Sequence, residues 1–338
     1  MDPGPKTLVS ATHKVPQPDE PSLLLHVRER RPQGLPPGGA GRAVLFVHGA
    51  TFSSGLWDLR PPGLSFLDAV AAAGMPAYAL DIRGYGRSRS TVMESEGGPY
   101  ARAGDAIRDI DRVADFLQAR EGLARVCLLG GSWGSITAGL YAATLGRDKL
   151  ERLVLYAPIF SDRNADWLAL IADPSNPSRP NPALGPYRRV GEAETRMRWD
   201  AEIPLQDKTL WRDEAVFRAL LEDAFDADPM ARDSEPPAFR APNGTLLDLF
   251  EAFNRRPLYD PGAIRVPVLL IRGTFDPTST RADATGLFDR LASPVKRYVE
   301  IGEGAHFVSA ERNAWQVIDE VVGFLGRPLA GQDGDAVR

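Results

Sequence analysis

The residues of this chain with the most specific chemistry are Gly130-Gly131-Ser132-Trp133-Gly134, which follow the apolar run 126–129 and precede a stretch of helical character from Ser135. They fit the pattern G-x-S-x-G. Between a strand and a helix that pattern makes a sharp turn, which strains the central serine and exposes its hydroxyl above the sheet. Small residues two before and two after the serine leave room for the turn, and here those residues are Gly130 and Gly134. The turn also directs the backbone N–H of Trp133 and the start of the next helix toward developing negative charge. The implied chemistry is attack by the Ser132 hydroxyl on a carbonyl carbon.

A serine hydroxyl is a poor nucleophile at neutral pH, so it needs a general base and a residue to orient that base. The chain has four histidines. His13 falls in an N-terminal stretch read as a tail, and His26 lies within an early strand. His48 closes an apolar strand and is expected to tie its loop by hydrogen bonds. His306 lies in Gly302-Glu303-Gly304-Ala305-His306-Phe307, just past a strand ending at Ile301. In a parallel sheet the carboxyl ends of the strands open on one edge, so His306 can meet Ser132. The orienting carboxylate should leave another strand at that edge and precede the histidine. Asp276, in Arg272-Gly273-Thr274-Phe275-Asp276-Pro277, meets both conditions, with Asp162 as its rival. The loop His48-Gly49-Ala50-Thr51 ends a further apolar strand, and the Ala50 amide is expected to join that of Trp133 in an oxyanion hole.

Strands are predicted at 23–28, 43–48, 77–80, 125–129, 152–156, 268–272 and 297–301, mostly as continuous apolar runs of the kind buried on both faces. Helices are predicted between them at 65–73, 105–120, 135–145, 281–291 and 315–325. In the second of these, Ile107, Ile110, Val113, Ala114 and Leu117 recur at three- and four-residue spacing. This alternation specifies an α/β fold with a mainly parallel sheet flanked by helices. It breaks over residues 159–262, which contain five prolines between 173 and 187 and no convincing buried strand. That segment is expected to be a helical cap, with helices near 193–201, 210–224 and 245–254, and to roof Ser132. Trp167, Trp199 and Trp211 of the segment, with Phe52 and Trp57 of the oxyanion loop, are candidates for the pocket lining. Residues 1–21 and 327–338 read as tails.

These motifs resemble the α/β-hydrolase superfamily, over residues 22–158 and 263–326 as the core. Asp81-Ile82-Arg83-Gly84-Tyr85-Gly86-Arg87-Ser88 is similar to the D-x-R-G-x-G-x-S loop after the family's fourth strand, which is usually structural. The elbow Gly130 to Ser135 is similar to that of proline iminopeptidases, whereas His48-Gly49-Ala50-Thr51 departs from their H-G-G-P-G. Epoxide hydrolases and haloalkane dehalogenases of this fold use an aspartate nucleophile, and position 132 is serine. The resemblance implies a serine hydrolase that needs no cofactor and no metal, with Ser132, Asp276 and His306 as its triad. A small-molecule carboxylic ester or lactone is the first substrate class; an amide or N-terminal peptide bond is the second. A slow-turnover ligand receptor that retains the triad is the alternative from another class.

Composition narrows the setting. The chain has 338 residues, 43% hydrophobic and 25% charged, which excludes a disordered or fibrous protein. With 40 Lys+Arg against 45 Asp+Glu it has no basic footprint for nucleic acid or anionic membrane. The single cysteine, Cys127, sits in a buried strand and reads as a core residue. Apolar runs fall far short of the roughly 18 residues of a membrane span, and no basic segment with an apolar core opens the chain, so a cytoplasmic location is expected. Residues 159–262 carry 19 acidic and 13 basic side chains, an excess that favours neutral or cationic substrates.

Overall fold

The computed structural model describes residues 7–95 and 97–328. In chain order the first half contains β1 (Leu8–Pro16), β2 (Leu24–Pro32), β3 (Val44–Val47), α1 (Phe66–Ala72), β4 (Ala77–Leu80), α2 (Val92–Ser95), α3 (Ala103–Glu121), β5 (Val126–Gly131), α4 (Trp133–Ala143) and β6 (Leu150–Tyr156). Residues 159–262 hold α5 (Ala165–Ile171), β7 (Ala172–Asp173), β8 (Asn176–Pro180), β9 (Tyr187–Gly191), α6 (Glu192–Glu202), α7 (Glu214–Ala227), β10 (Ala238–Pro242) and α8 (Gly244–Phe253). The chain closes with β11 (Val268–Gly273), α9 (Arg281–Arg290), β12 (Lys296–Ile301) and α10 (Ala314–Gly326).

Eight strands form one sheet in the order β1-β2-β4-β3-β5-β6-β11-β12, in which only the pairings of β2 are antiparallel. Every residue of β3, β4, β5 and β11 is buried, as their unbroken apolar runs require, and the flanking helices explain why both faces are dry. On α3, Ile110, Val113, Ala114 and Leu117 form the buried stripe expected from their spacing. Helix starts are capped locally: the Ser65 hydroxyl accepts the Asp68 N–H before α1, and the Thr280 hydroxyl accepts that of Asp283 before α9.

Two expectations need correction. Residues 8–16 are not a tail: β1 pairs with β2 from Leu8↔Pro32 to Pro16↔Leu24. Only Val15 of this edge strand is buried, so its place depends on the backbone ladder and it carries no alternating apolar signal. The predicted C-terminal tail lies, beyond Pro328, outside the described residues. The inserted segment is not purely helical either, because β7–β8 and β9–β10 form two small two-stranded sheets. The ribbon strand β8 is exposed and Pro-containing, so it lacks the apolar run by which the core strands are recognised.

Register brings the chemistry to one edge. Val47 pairs with Gly130, Gly131 with Tyr156, Tyr156 with Ile271, and Gly273 with Ile301. The loops after β3, β5, β6, β11 and β12 therefore leave the sheet side by side. The inserted segment lies across that edge, where the Trp167 indole N–H donates to Thr278 Oγ1 at 2.9 Å and Trp199 stacks on Phe307 with ring centroids 4.6 Å apart. Among the described residues no helix is long and apolar enough to cross a membrane.

Candidate active site

Ser132 sits between β5 and α4 with φ 57° and ψ −122°, in the left-handed region that a residue with a side chain adopts only under constraint. The constraint is tight packing of the turn. A Cβ on Gly130 would lie 2.0 Å from the Gly134 carbonyl oxygen, and one on Gly134 would lie 2.5 Å from the His48 carbonyl oxygen. Both glycines are thus required by the close approach of backbone to backbone. Ser135, three residues on, is buried and engaged: its hydroxyl donates to the Ser132 carbonyl at 2.6 Å and accepts the Ile159 N–H at 3.0 Å.

The sheet edge assembles the three predicted polar groups. His306 Nε2 lies 2.9 Å from Ser132 Oγ, and His306 Nδ1 lies 2.8 Å from Asp276 Oδ2. The other carboxylate oxygen, Asp276 Oδ1, accepts the backbone N–H groups of Thr278 and Ser279, each at 2.8 Å, which fixes the carboxylate plane toward the imidazole. Burial alone would push the His306 imidazole down, but the charge and hydrogen bond of Asp276 outweigh it, so its pKa is raised above the ordinary value. The histidine loop is held from behind by Tyr156, whose hydroxyl donates to the His306 carbonyl at 2.6 Å and accepts the Ser309 N–H at 3.1 Å. Asp162, the rival carboxylate, instead accepts from the Thr280 hydroxyl at 3.0 Å.

On the facing loop, Gly49 approaches Ser132 so closely that a Cβ on it would lie 3.1 Å from Ser132 Cβ. The Ala50 carbonyl accepts both the Tyr85 hydroxyl at 2.8 Å and Arg188 Nη2 at 2.7 Å, and these two donors fix the loop. Among the described residues no protein acceptor takes up the backbone N–H of Ala50 or of Trp133. His48 is structural, as expected. Its Nε2 accepts the Ile82 N–H at 3.1 Å, so the proton resides on Nδ1, which donates to the Gly49 carbonyl at 2.8 Å; burial lowers its pKa and keeps it neutral. The Asp81 loop is likewise consumed in structure, since its carboxylate accepts the N–H groups of Ser54 and Arg87.

A cavity of about 40 Å³ opens at Ser132 and His306, lined also by Phe52, Ile159, Trp167 and Leu249. It adjoins an outer cavity of about 240 Å³ with which it shares Thr51, Phe52, Trp167, Arg198 and Phe307. Two of the five predicted pocket aromatics, Phe52 and Trp167, are therefore in the lining. The other three are packing residues. Trp57 is fully buried behind Gly131, and Trp199 is fully buried, donating its indole N–H to Glu311 Oε1 at 2.9 Å. Trp211 is buried against Phe275, with ring centroids 5.5 Å apart. Side-chain direction in a folded insertion is a tertiary property, and the sequence offers aromatic type without it. Tyr156 and Phe307 were findable, one as the last residue of a strand at this edge and the other as the neighbour of His306. Arg188 and Arg198 carry no such signal.

Fold and site define an α/β-hydrolase, and this protein is a hydrolase of that type. The chain belongs to the serine aminopeptidase S33 family, whose model matches residues 39–313. A 129-residue stretch is 34% identical to an epoxide hydrolase of Caballeronia sordidicola, covering 38% of this chain and 32% of that protein, so the match spans about a third of the length of that relative. Among solved structures, an esterase from Thermogutta terrifontis is 17% identical with a TM-score of 0.62, covering 93% of this chain and 98% of that one. The enol-lactonase from Burkholderia xenovorans is 19% identical with a TM-score of 0.59, covering 90% and 98%. These two likenesses are likenesses of fold.

Proposed function

We propose that this hydrolase cleaves a carboxylic ester or lactone of a small molecule through an acyl-enzyme on Ser132. The observation that carries the reading is the unbroken hydrogen-bonded line from Ser132 Oγ through both nitrogens of His306 to Asp276, with Ser132 held in a left-handed turn beside a cavity. Neutral His306 accepts the Ser132 proton at Nε2 as Oγ attacks the carbonyl carbon, while Asp276 holds Nδ1–H and stabilises the imidazolium. The Ala50 and Trp133 amides, free of protein acceptors among the described residues, bind the tetrahedral oxyanion. Collapse breaks the bond to the leaving alkoxide, which takes the proton from Nε2. Water then gives its proton to His306 and attacks the acyl carbon, and Ser132 leaves with the proton returned. Residues 159–262 act as a cap that covers the reacting groups and shapes the substrate space.

A second reading, cleavage of an N-terminal amide, draws on the family and on Glu202, whose buried Oε2 has no hydrogen-bond partner among the described residues. A carboxylate of that kind is what an ammonium group would need. Glu202 lines neither cavity, however, and its other oxygen already lies 3.8 Å from Arg198 Nε. The ester reading is therefore preferred. Hydrolysis of p-nitrophenyl esters against prolyl and alanyl p-nitroanilides separates the two. Ester turnover that disappears in Ser132→Ala is expected, and faster anilide than ester turnover would reverse the order.

A further inference from the structure

Two guanidinium groups face the outer cavity beside the Ser132 cavity, and among the described residues neither has a carboxylate within hydrogen-bond distance. Arg198, on α6, lines both cavities. Its guanidinium carbon lies 4.8 Å from the ring centre of Trp167 and 5.6 Å from that of Phe307, while Nη1 donates to Thr51 Oγ1 at 3.2 Å. The nearest carboxylate is Glu202, at 3.8 Å, beyond hydrogen-bond reach. Arg188, on β9, lines the outer cavity and donates to the Ala50 and Pro242 carbonyls at 2.7 and 3.1 Å. Among the described residues no carboxylate lies within 4.0 Å of it.

Several buried arginines elsewhere have a carboxylate within hydrogen-bond distance. Arg83 has Asp109 at 2.7 Å, Arg240 has Asp228 at 2.8 Å, and Arg212 has Asp200 at 2.7 Å. Both arginines are half-buried, and the loss of solvation outweighs the charge of Glu194 at Arg188, so burial lowers its pKa. A ligand anion is the natural partner for such a pair. The outer lining contains two arginines and the exposed Glu194, with Glu202 outside the lining at 3.8 Å from Arg198. The planar guanidinium fork also matches a carboxylate.

We propose that the substrate is an ester or lactone bearing a carboxylate, which is bound by Arg188 and Arg198 in the outer cavity while its carbonyl reaches Ser132. This rests on the acyl-enzyme reading for the reaction, but the anion site itself does not. It reverses the expectation drawn from the acidic composition of residues 159–262. Charges spread over an outer surface are screened within about 8–10 Å, whereas the two arginines stand at the cavity.

The test is binding of monomethyl glutarate against its uncharged analogue dimethyl glutarate to Ser132→Ala, by calorimetry. The monoester is expected to bind about tenfold tighter or more, in the range of charge-assisted hydrogen bonds. Adding Arg198→Gln should abolish most of that preference, and Arg198→Lys should retain part of it. Arg188→Gln should act in the same direction; because Arg188 also ties β9 to the Ala50 loop, the Arg198 pair decides the matter if that variant does not fold. Equal affinity for the two glutarates, including no binding of either, overturns the proposal. So does a preference that survives Arg198→Gln, or displacement by inorganic phosphate as readily as by the monoester. With the wild type, mono-p-nitrophenyl glutarate should exceed p-nitrophenyl pentanoate in kcat/KM. Carboxylate-selective binding without turnover of either ester leaves this site standing and removes the hydrolytic role of Ser132. Turnover of neutral esters with no carboxylate preference does the reverse.

Discussion

Ser132 and Ser135 are three residues apart in the same turn, yet only one is free to react. The Ser135 hydroxyl both donates and accepts within the backbone, whereas the Ser132 hydroxyl meets His306 at the floor of a cavity. Asp276 ties the neighbouring imidazole to one orientation. Asp276→Asn should lower kcat by roughly 10⁴-fold, since an amide donor at that place favours the wrong histidine tautomer. The pH profile supplies a second readout. Only neutral His306 accepts the serine proton, and Asp276 raises its pKa, so the inactive protonated form persists to higher pH than in an unpaired imidazole. Activity should therefore fall as pH drops through a midpoint above about 6.5, and residual activity of Asp276→Asn should show that midpoint moved down. An unmoved midpoint would detach Asp276 from His306. These three residues were legible in sequence because each follows the carboxyl end of a predicted strand, Ser132 in a glycine-flanked turn and Asp276 and His306 in short loops. Arg188 and Arg198 were not, because convergence on one cavity is a relation between distant parts of the chain.

At the scale of elements, the turn between β5 and α4 depends on how closely α4 approaches the end of β3. Gly134 is the contact: a Cβ there would meet the His48 and Val47 carbonyl oxygens at 2.5 and 2.8 Å, and neither backbone atom can yield without moving β3. Gly134→Ala should cost about 1–3 kcal/mol, the scale of overpacking, measured by thermal or urea denaturation. It should also displace Ser132 relative to Ala50, so kcat should fall in protein that remains folded. A neutral Gly134→Ala would mean that the elbow has slack. The parallel strands were readable as apolar runs because helices cover both faces of the sheet. By contrast β1 and β8 were missed: both are largely exposed, and a solvated edge or ribbon imposes little hydrophobic pattern. Helix α5 was also missed, a short element on which only Leu168 and Ile171 are buried.

For the whole molecule, residues 159–262 lie across the sheet edge that carries Ser132, Asp276 and His306. Trp167 joins the two, with its indole N–H bonded to Thr278 Oγ1, its ring stacked on Phe253, and its surface shared by both cavities. Trp167→Ala should change kcat/KM between a small and a bulky acyl ester by more than tenfold, about 1.4 kcal/mol, with stability checked in parallel. Folded protein with unchanged selectivity would assign specificity to Phe52 and the arginines instead. The proposed hydrolysis depends on one covalent event. The most direct measurement is labelling with a fluorophosphonate probe followed by peptide mass spectrometry, in the wild type and in Ser132→Ala. A single adduct on Ser132 that is absent from the variant is the expected result; wild-type labelling at Ser135, or labelling that persists at the same rate in Ser132→Ala, would contradict it.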